Sequence, residues 1–107
     1  MRLVEAGDVR VRLLDTVVFE TVFTLEKLFN RSKRDIKDNF LPIIDLPDVV
    51  SSSKRRLHEA FALYVDRNIS FGDAFHVRVA LDEEDGQIIT FDRAIGRIPG
   101  VKRTEPA

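Results

Sequence analysis

The chain has 107 residues, a formal net charge of -1 and 44% hydrophobic residues. This length and composition predict one folded domain, residues 1–107, with a single modest core, and they exclude a disordered chain. The nearly balanced charge excludes a strong overall attraction to nucleic acid, although Arg55-Arg56 and Lys102-Arg103 are candidates for a local basic rim.

The absence of cysteine excludes disulfide bonds and zinc sites with cysteine ligands. No apolar run approaches the roughly 20 residues that cross a bilayer. The stretch from Met1 to Glu5 lacks the apolar core of a secretory signal. We therefore expect a cytoplasmic protein without a membrane partner.

Apolar spacing and capping residues predict alternating strands and helices. Val9, Val11 and Leu13, for example, alternate with two arginines, as in a strand with one face on the core. In the first half of the chain the predictions are the end of a helix at 2–6, a strand at 9–13, a helix at 17–29 capped by Asp15-Thr16, a helix from Ser32 that bends or ends near Pro42, and a turn and short strand at 46–50. In the second half they are a helix capped by serines 51–53, a helix from Ser70 to about Glu83, a short buried strand at 87–91, one helical turn from Asp92, and a strand at 101–103.

This alternation predicts an α/β fold with a parallel sheet covered on both faces by helices. In such sheets, ligands bind beyond the carboxyl ends of the strands. Asp92 directly follows a strand, while Glu20 and Asp73 lie near helix N-termini. The three carboxylates can therefore share one edge, where they would suit a hard divalent cation.

Each carboxylate also has a purely structural interpretation. Asp73 has the spacing of a capping-box partner of Ser70, and Asp92 that of a helix N-cap. Glu20 lies in a helix expected to be largely buried, where an unpaired carboxylate costs several kcal/mol and requires a cation, an arginine or solvent. His76 follows Asp73 by three residues, and Thr90 precedes Asp92 by two. His76 is a candidate for orienting a water or contacting a phosphate, but a packed histidine that supports the site is the preferred role. Thr90 is a candidate for binding a water or phosphate through its hydroxyl, and the alternative is an ordinary strand threonine.

The sequence resembles the PIN domain, specifically the VapC-type toxin ribonucleases of prokaryotic toxin–antitoxin pairs. The blocks that carry this resemblance are Phe-Gly-Asp-Ala-Phe-His at 71–76, Ile-Thr-Phe-Asp-Arg at 89–93, Ile-Pro-Gly-Val-Lys-Arg at 98–103, and the helix at 17–26 that contains Glu20. Their order along the chain makes the match more specific than any single block. The resemblance implies a three-layer α/β/α fold with a central parallel sheet.

As the resemblance implies, Glu20, Asp73 and Asp92 would be the catalytic and metal-binding acids, with Mg²⁺ or Mn²⁺ as the cofactor. The implied reaction is hydrolysis of RNA phosphodiester bonds, and the implied protein partner is a cognate antitoxin. Thr90 and Arg93 are weaker candidates for RNA binding, as is Lys102.

The chain departs from the family pattern at its start, because the first strand, with its Asp-Thr/Ser-Asn motif, and the following helix have no counterpart. Leu14-Asp15-Thr16 imitates that motif, but using Asp15 as the first acid leaves Glu20 unexplained, so a helix cap is the preferred role for Asp15. A truncated sheet would expose unpaired edges and favour a homodimer or higher oligomer. Two hypotheses remain: a metal-dependent endoribonuclease, and a non-catalytic module that binds protein or RNA.

Overall fold

The computed structural model describes residues 10–106. Of these residues, 57% are helical and 10% lie in strands. The described residues divide between His58 and Glu59 into two compact units, called the first and the second unit below. The elements are β1 (Val11–Arg12), α1 (Asp15–Lys27), α2 (Lys33–Ile44), β2 (Val49–Val50), α3 (Lys54–Asp66), α4 (Phe71–Glu83), β3 (Gln87–Ile89), α5 (Arg93–Gly96) and β4 (Lys102–Thr104).

The predicted three-layer α/β/α fold with a central parallel sheet is wrong for the described residues. The strands form two separate two-stranded sheets, β1 with β2 and β3 with β4. Both pairs are parallel, as the alternation predicted. A chain that alternates strands and helices can join neighbouring strands in parallel through a helical crossover. The alternation does not determine how many strands belong to one sheet. Strands of two or three residues leave a mainly helical protein.

The first unit packs a mainly aliphatic core under α1 and α2. Its buried residues recur at helical spacing, with Val18 and Val22 on α1 and Ile36, Phe40 and Ile44 on α2. Ser32 caps α2, because its Oγ accepts a hydrogen bond of 3.1 Å from the backbone N–H of Asp35. Pro42 lies within the last turn and α2 ends two residues later, close to the predicted position.

The second unit packs around an aromatic cluster formed by Phe61, Tyr64 and Phe71. The ring centroids of Phe61 and Phe71 are 4.4 Å apart, and Tyr64 meets both rings edge-on at 6.1 and 5.8 Å. Such tilted and edge-to-face arrangements suit the quadrupoles of aromatic rings. Through these rings, Phe71 at the start of α4 packs against Phe61 and Tyr64 in the part of α3 that lies in the second unit.

Most predicted helix boundaries are confirmed within residues 10–106. Ser70 caps α4 and Asp92 caps α5, as expected. The cap of α1 differs, since Leu14 occupies the N-cap position without a side-chain hydrogen bond. Asp15 lies in the first turn instead, and its carboxylate accepts a 3.3 Å hydrogen bond from Ser53 Oγ. The predicted helix end at 2–6 and the first residue of the predicted strand, Val9, lie outside the described residues.

Candidate functional site

A cleft of about 360 Å³ lies between α4 and β3 in the second unit. Its apolar lining includes Val79, Ile88 and Ile95. Its polar lining includes Asp73, His76, Glu84 and Thr90. The cleft therefore combines an apolar wall with a few polar groups, the usual composition of a small binding site.

Asp73 lies in the first turn of α4, where helix capping fixes its position. Its backbone N–H donates a 3.1 Å hydrogen bond to Ser70 Oγ. The side chain is half-buried, and its carboxylate has no hydrogen bond or ion pair with any residue from 10 to 106. The exposed N–H groups of the first helical turn favour a negative charge here. Asp73 is therefore both a capping-box position and a carboxylate available to a ligand in the cleft.

Thr90 and Asp92 form a short polar loop between β3 and α5. Thr90 Oγ1 accepts a 3.1 Å hydrogen bond from the backbone N–H of Asp92. The Asp92 carboxylate accepts a 2.9 Å bond from the backbone N–H of Ala94 and so caps α5. Asp92 is exposed and does not line the cleft, whereas Thr90 does. The structure thus brings together Asp73 and Thr90, and it assigns Asp92 a capping role.

Glu20 lies on α1 in the first unit and is exposed. It borders a separate depression with Thr21, Thr24, Leu25 and Phe29. The expectation that Glu20 is buried is therefore wrong, and its carboxylate needs neither a cation nor an arginine because water solvates it. Only Val18 and Val22 of α1 are buried, so the burial expected of this helix is limited to one narrow stripe.

The basic candidates of the second unit lie on two elements, with Arg93 at the start of α5 and Lys102 and Arg103 in β4. Arg93 and Lys102 are exposed, and neither lines the α4–β3 cleft. Arg103 donates a 3.1 Å hydrogen bond to the backbone carbonyl of Thr90 and contacts Glu105 at 3.2 Å. Arg103 therefore holds the polar loop to β4, a structural role that the sequence did not suggest.

Residues 10–106 contain no group of three or more His, Cys, Asp or Glu side chains arranged to hold a metal ion. The described residues therefore do not fit a metal centre with three protein ligands. Sequence reasoning also missed Glu84, which follows α4 and lines the cleft. Little in the sequence indicates that Glu84 lines a cleft, because the acidic run from Asp82 to Asp85 has the composition of a solvated helix end.

No family model, no curated protein and no solved structure matches this chain, and none of them therefore identifies a PIN domain here. None of the helices within residues 10–106 has the length and apolarity needed to span a membrane.

Proposed function

We propose that this chain is an endoribonuclease of a toxin–antitoxin pair that acts at the α4–β3 cleft. The observation that carries the proposal is the half-buried Asp73 carboxylate, which faces no described partner and lines a cleft together with Thr90. The blocks at 71–76 and 89–93 that resemble the toxin ribonucleases supply this carboxylate and this threonine. The three-layer fold of that family is no part of the proposal.

The chemistry of the cleft suits a phosphodiester substrate. A carboxylate without a partner can accept a proton from an attacking hydroxyl or water, a role that general base catalysis requires. Thr90 Oγ1 already accepts a bond from Asp92, which leaves its hydroxyl hydrogen to donate to a phosphate oxygen. His76, which also lines the cleft, is the second group that can move a proton. Asp73 is therefore proposed as the principal catalytic carboxylate.

The test is cleavage of a mixed structured RNA by the purified chain, with Mg²⁺, with Mn²⁺ and with EDTA. Asp73→Asn keeps the shape of the side chain but removes the charge, and we expect cleavage to fall at least about a hundredfold, the usual scale of acid–base catalysis. Asp66→Asn is the matched control, since Asp66 is an exposed aspartate of the same unit outside the cleft lining. Unchanged cleavage by Asp73→Asn would overturn the assignment of Asp73.

The requirement for Mg²⁺ or Mn²⁺ is proposed only from the resemblance, and the EDTA arm measures it. Glu20→Gln and Asp92→Asn extend the same assay to the two other acids. A loss of activity in both variants, with the fold retained, would support a joint role for the three carboxylates. Full activity in both would limit the site to the α4–β3 cleft.

The second candidate function is a non-catalytic module that binds a protein or RNA. It is favoured by the absence of a three-ligand metal group within residues 10–106. A folded wild-type chain that cuts no RNA in any of the three conditions, but retains RNA or an antitoxin on a sizing column, would support this candidate over the enzyme.

A further inference from the structure

Strand β3 has one hydrogen-bonding edge that no described strand covers. The backbone N–H of Thr90 donates to the carbonyl of Thr104, and that of Lys102 donates to the carbonyl of Gly86. Because backbone groups of successive strand residues point to opposite edges, the N–H and carbonyl of Ile89 face away from β4. Among the described strands, β3 pairs only with β4. Its free edge can therefore accept a further strand.

The side chains beside this edge are exposed and apolar. Ile89 is 71% exposed and Phe91 is 72% exposed. Ile89 is the last residue of β3 and Phe91 follows it by two residues. We call these two exposed apolar side chains the apolar strip. An incoming strand would gain backbone hydrogen bonds from Ile89 and apolar contacts from this strip.

Strand β1 has a complementary free edge. The backbone N–H groups of Val11 and Leu13 donate to the carbonyls of Asp48 and Val50, so both residues face β2. The backbone of Arg12 consequently faces away from β2, and among the described strands β1 pairs only with β2. Val11, Arg12 and Arg10 are all exposed.

Charge distinguishes the two edges. Arg10 directly precedes β1 and Arg12 ends it, so two exposed positive charges lie two residues apart at this strand. The cleft beside β3 is lined by the carboxylates Asp73 and Glu84, and its lining contains no lysine or arginine. Opposite charges across two open strand edges favour their pairing, whereas two copies of the acidic cleft would repel one another.

We propose that the free edge of β3, with the acidic α4–β3 cleft, binds strand β1 of a second copy of this chain. Each copy carries both a β1 edge and a β3 edge, so a contact of this kind covers one open edge on each of the two chains. The occupant is a second copy rather than an unrelated peptide because this chain itself carries an exposed strand edge with alternating apolar and basic residues.

Sedimentation velocity over a range from low micromolar to submillimolar protein tests the proposal. We expect a reversible dimer that weakens as salt is added, because the contact includes opposite charges near the surface. The double variant Arg10→Glu/Arg12→Glu and the double variant Asp73→Lys/Glu84→Lys each place like charges across the contact. Each should raise the dimer dissociation constant at least about tenfold.

Mixing these two variants gives the decisive measurement. In the mixture, the glutamate strand of one variant meets the lysine cleft of the other, and the unaltered strand meets the unaltered cleft. At a protein concentration at which each variant alone is mainly monomeric, the mixture should therefore form a heterodimer. Arg34→Glu/Arg67→Glu is the matched control, since both arginines are exposed and lie outside β1 and the cleft. This control should dimerise like the wild type.

A wild-type chain that stays monomeric at every concentration would overturn the proposal. Dimerisation that persists in both charge-reversed variants would overturn it as well, since another surface would then hold the dimer. Far-UV circular dichroism checks that each variant is folded. A further variant, Ile89→Lys, places a positive charge at the exposed β3 edge that would face Arg10 and Arg12, and it must also weaken the dimer. Strand β1 of the second copy would occupy the cleft that the proposed function assigns to RNA, so RNA and the dimer contact compete for it. The readout is mass, so a result here does not depend on ribonuclease activity.

Discussion

The two compact units build similar elements into different kinds of core. Each contains helices and a short parallel strand pair, yet the second unit centres on the packed rings of Phe61, Tyr64 and Phe71, whereas the first relies mainly on aliphatic stripes. In the first unit, Phe23, Leu28 and Phe29 stay exposed on or beside α1. The difference shows that apolar content alone does not make a core, because only side chains that meet a second layer are removed from water.

The largest expected effect is on the aromatic cluster. Phe61→Ala removes a fully buried ring and should lower the free energy of unfolding by about 3–5 kcal/mol. The paired change Phe23→Ala, in the first unit, removes a ring that is 62% exposed and should cost less than about 0.5 kcal/mol. Chemical denaturation monitored by circular dichroism measures both values.

The chain contains a single tyrosine, Tyr64, which lies in the second unit. Its fluorescence therefore gives a local signal for that unit in the same experiment. Equal losses of stability in Phe61→Ala and Phe23→Ala would remove the contrast between the two cores.

An intermediate effect is expected at two matched helix caps. Ser32 in the first unit and Ser70 in the second each accept a 3.1 Å hydrogen bond from the residue three positions later. Replacing either serine with alanine should cost about 1 kcal/mol, because one N–H at the helix start loses its partner. Denaturation curves of Ser32→Ala and Ser70→Ala give the comparison.

Equal costs at the two caps would locate the difference between the units in their cores. A cost at Ser70 several times larger than that at Ser32 would instead indicate that the start of α4, beside the cleft, depends on its cap more strongly than α2 does.

The smallest expected effect concerns Lys33 in the first unit. Partial burial lowers the pKa of Lys33 below its usual 10.5, an effect opposed by nearby Glu26 and reinforced by Lys27. Between the lowered pKa of the folded chain and the usual pKa of the unfolded chain, Lys33 binds fewer protons in the folded state than in the unfolded state. The free energy of unfolding therefore rises with pH across this interval and levels off above it.

Lys33→Gln should remove that small rise in the free energy of unfolding. At lower pH, where Lys33 is protonated in both states, the pH dependence of stability should stay the same. Thermal unfolding of wild type and Lys33→Gln between neutral pH and the usual lysine pKa compares the two slopes. A steeper rise in Lys33→Gln than in the wild type would contradict the assigned direction of the shift.

The candidate site was only partly predictable. The block around Asp73 predicted both the cap and the nearby carboxylate, because capping depends on residues within one helical turn. The same local logic predicted Asp92 as a cap. It failed for Glu20, whose apolar neighbours suggested burial although α1 buries only Val18 and Val22. The contribution of Glu84 depends on which side of α4 meets β3, and local sequence does not specify that.

The sequence by itself determined the order of helices and strands, the serine caps of α2 and α4, and the parallel direction of the strand pairs, since these depend on residue spacing and on connections along the chain. Only the tertiary structure decided that the strands form two separate sheets. It also decided that Asp73 and Thr90 line one cleft, while Glu20 is solvated elsewhere. The reason is that strand order and burial follow from contacts between residues distant in sequence, and no local pattern encodes which of those contacts form.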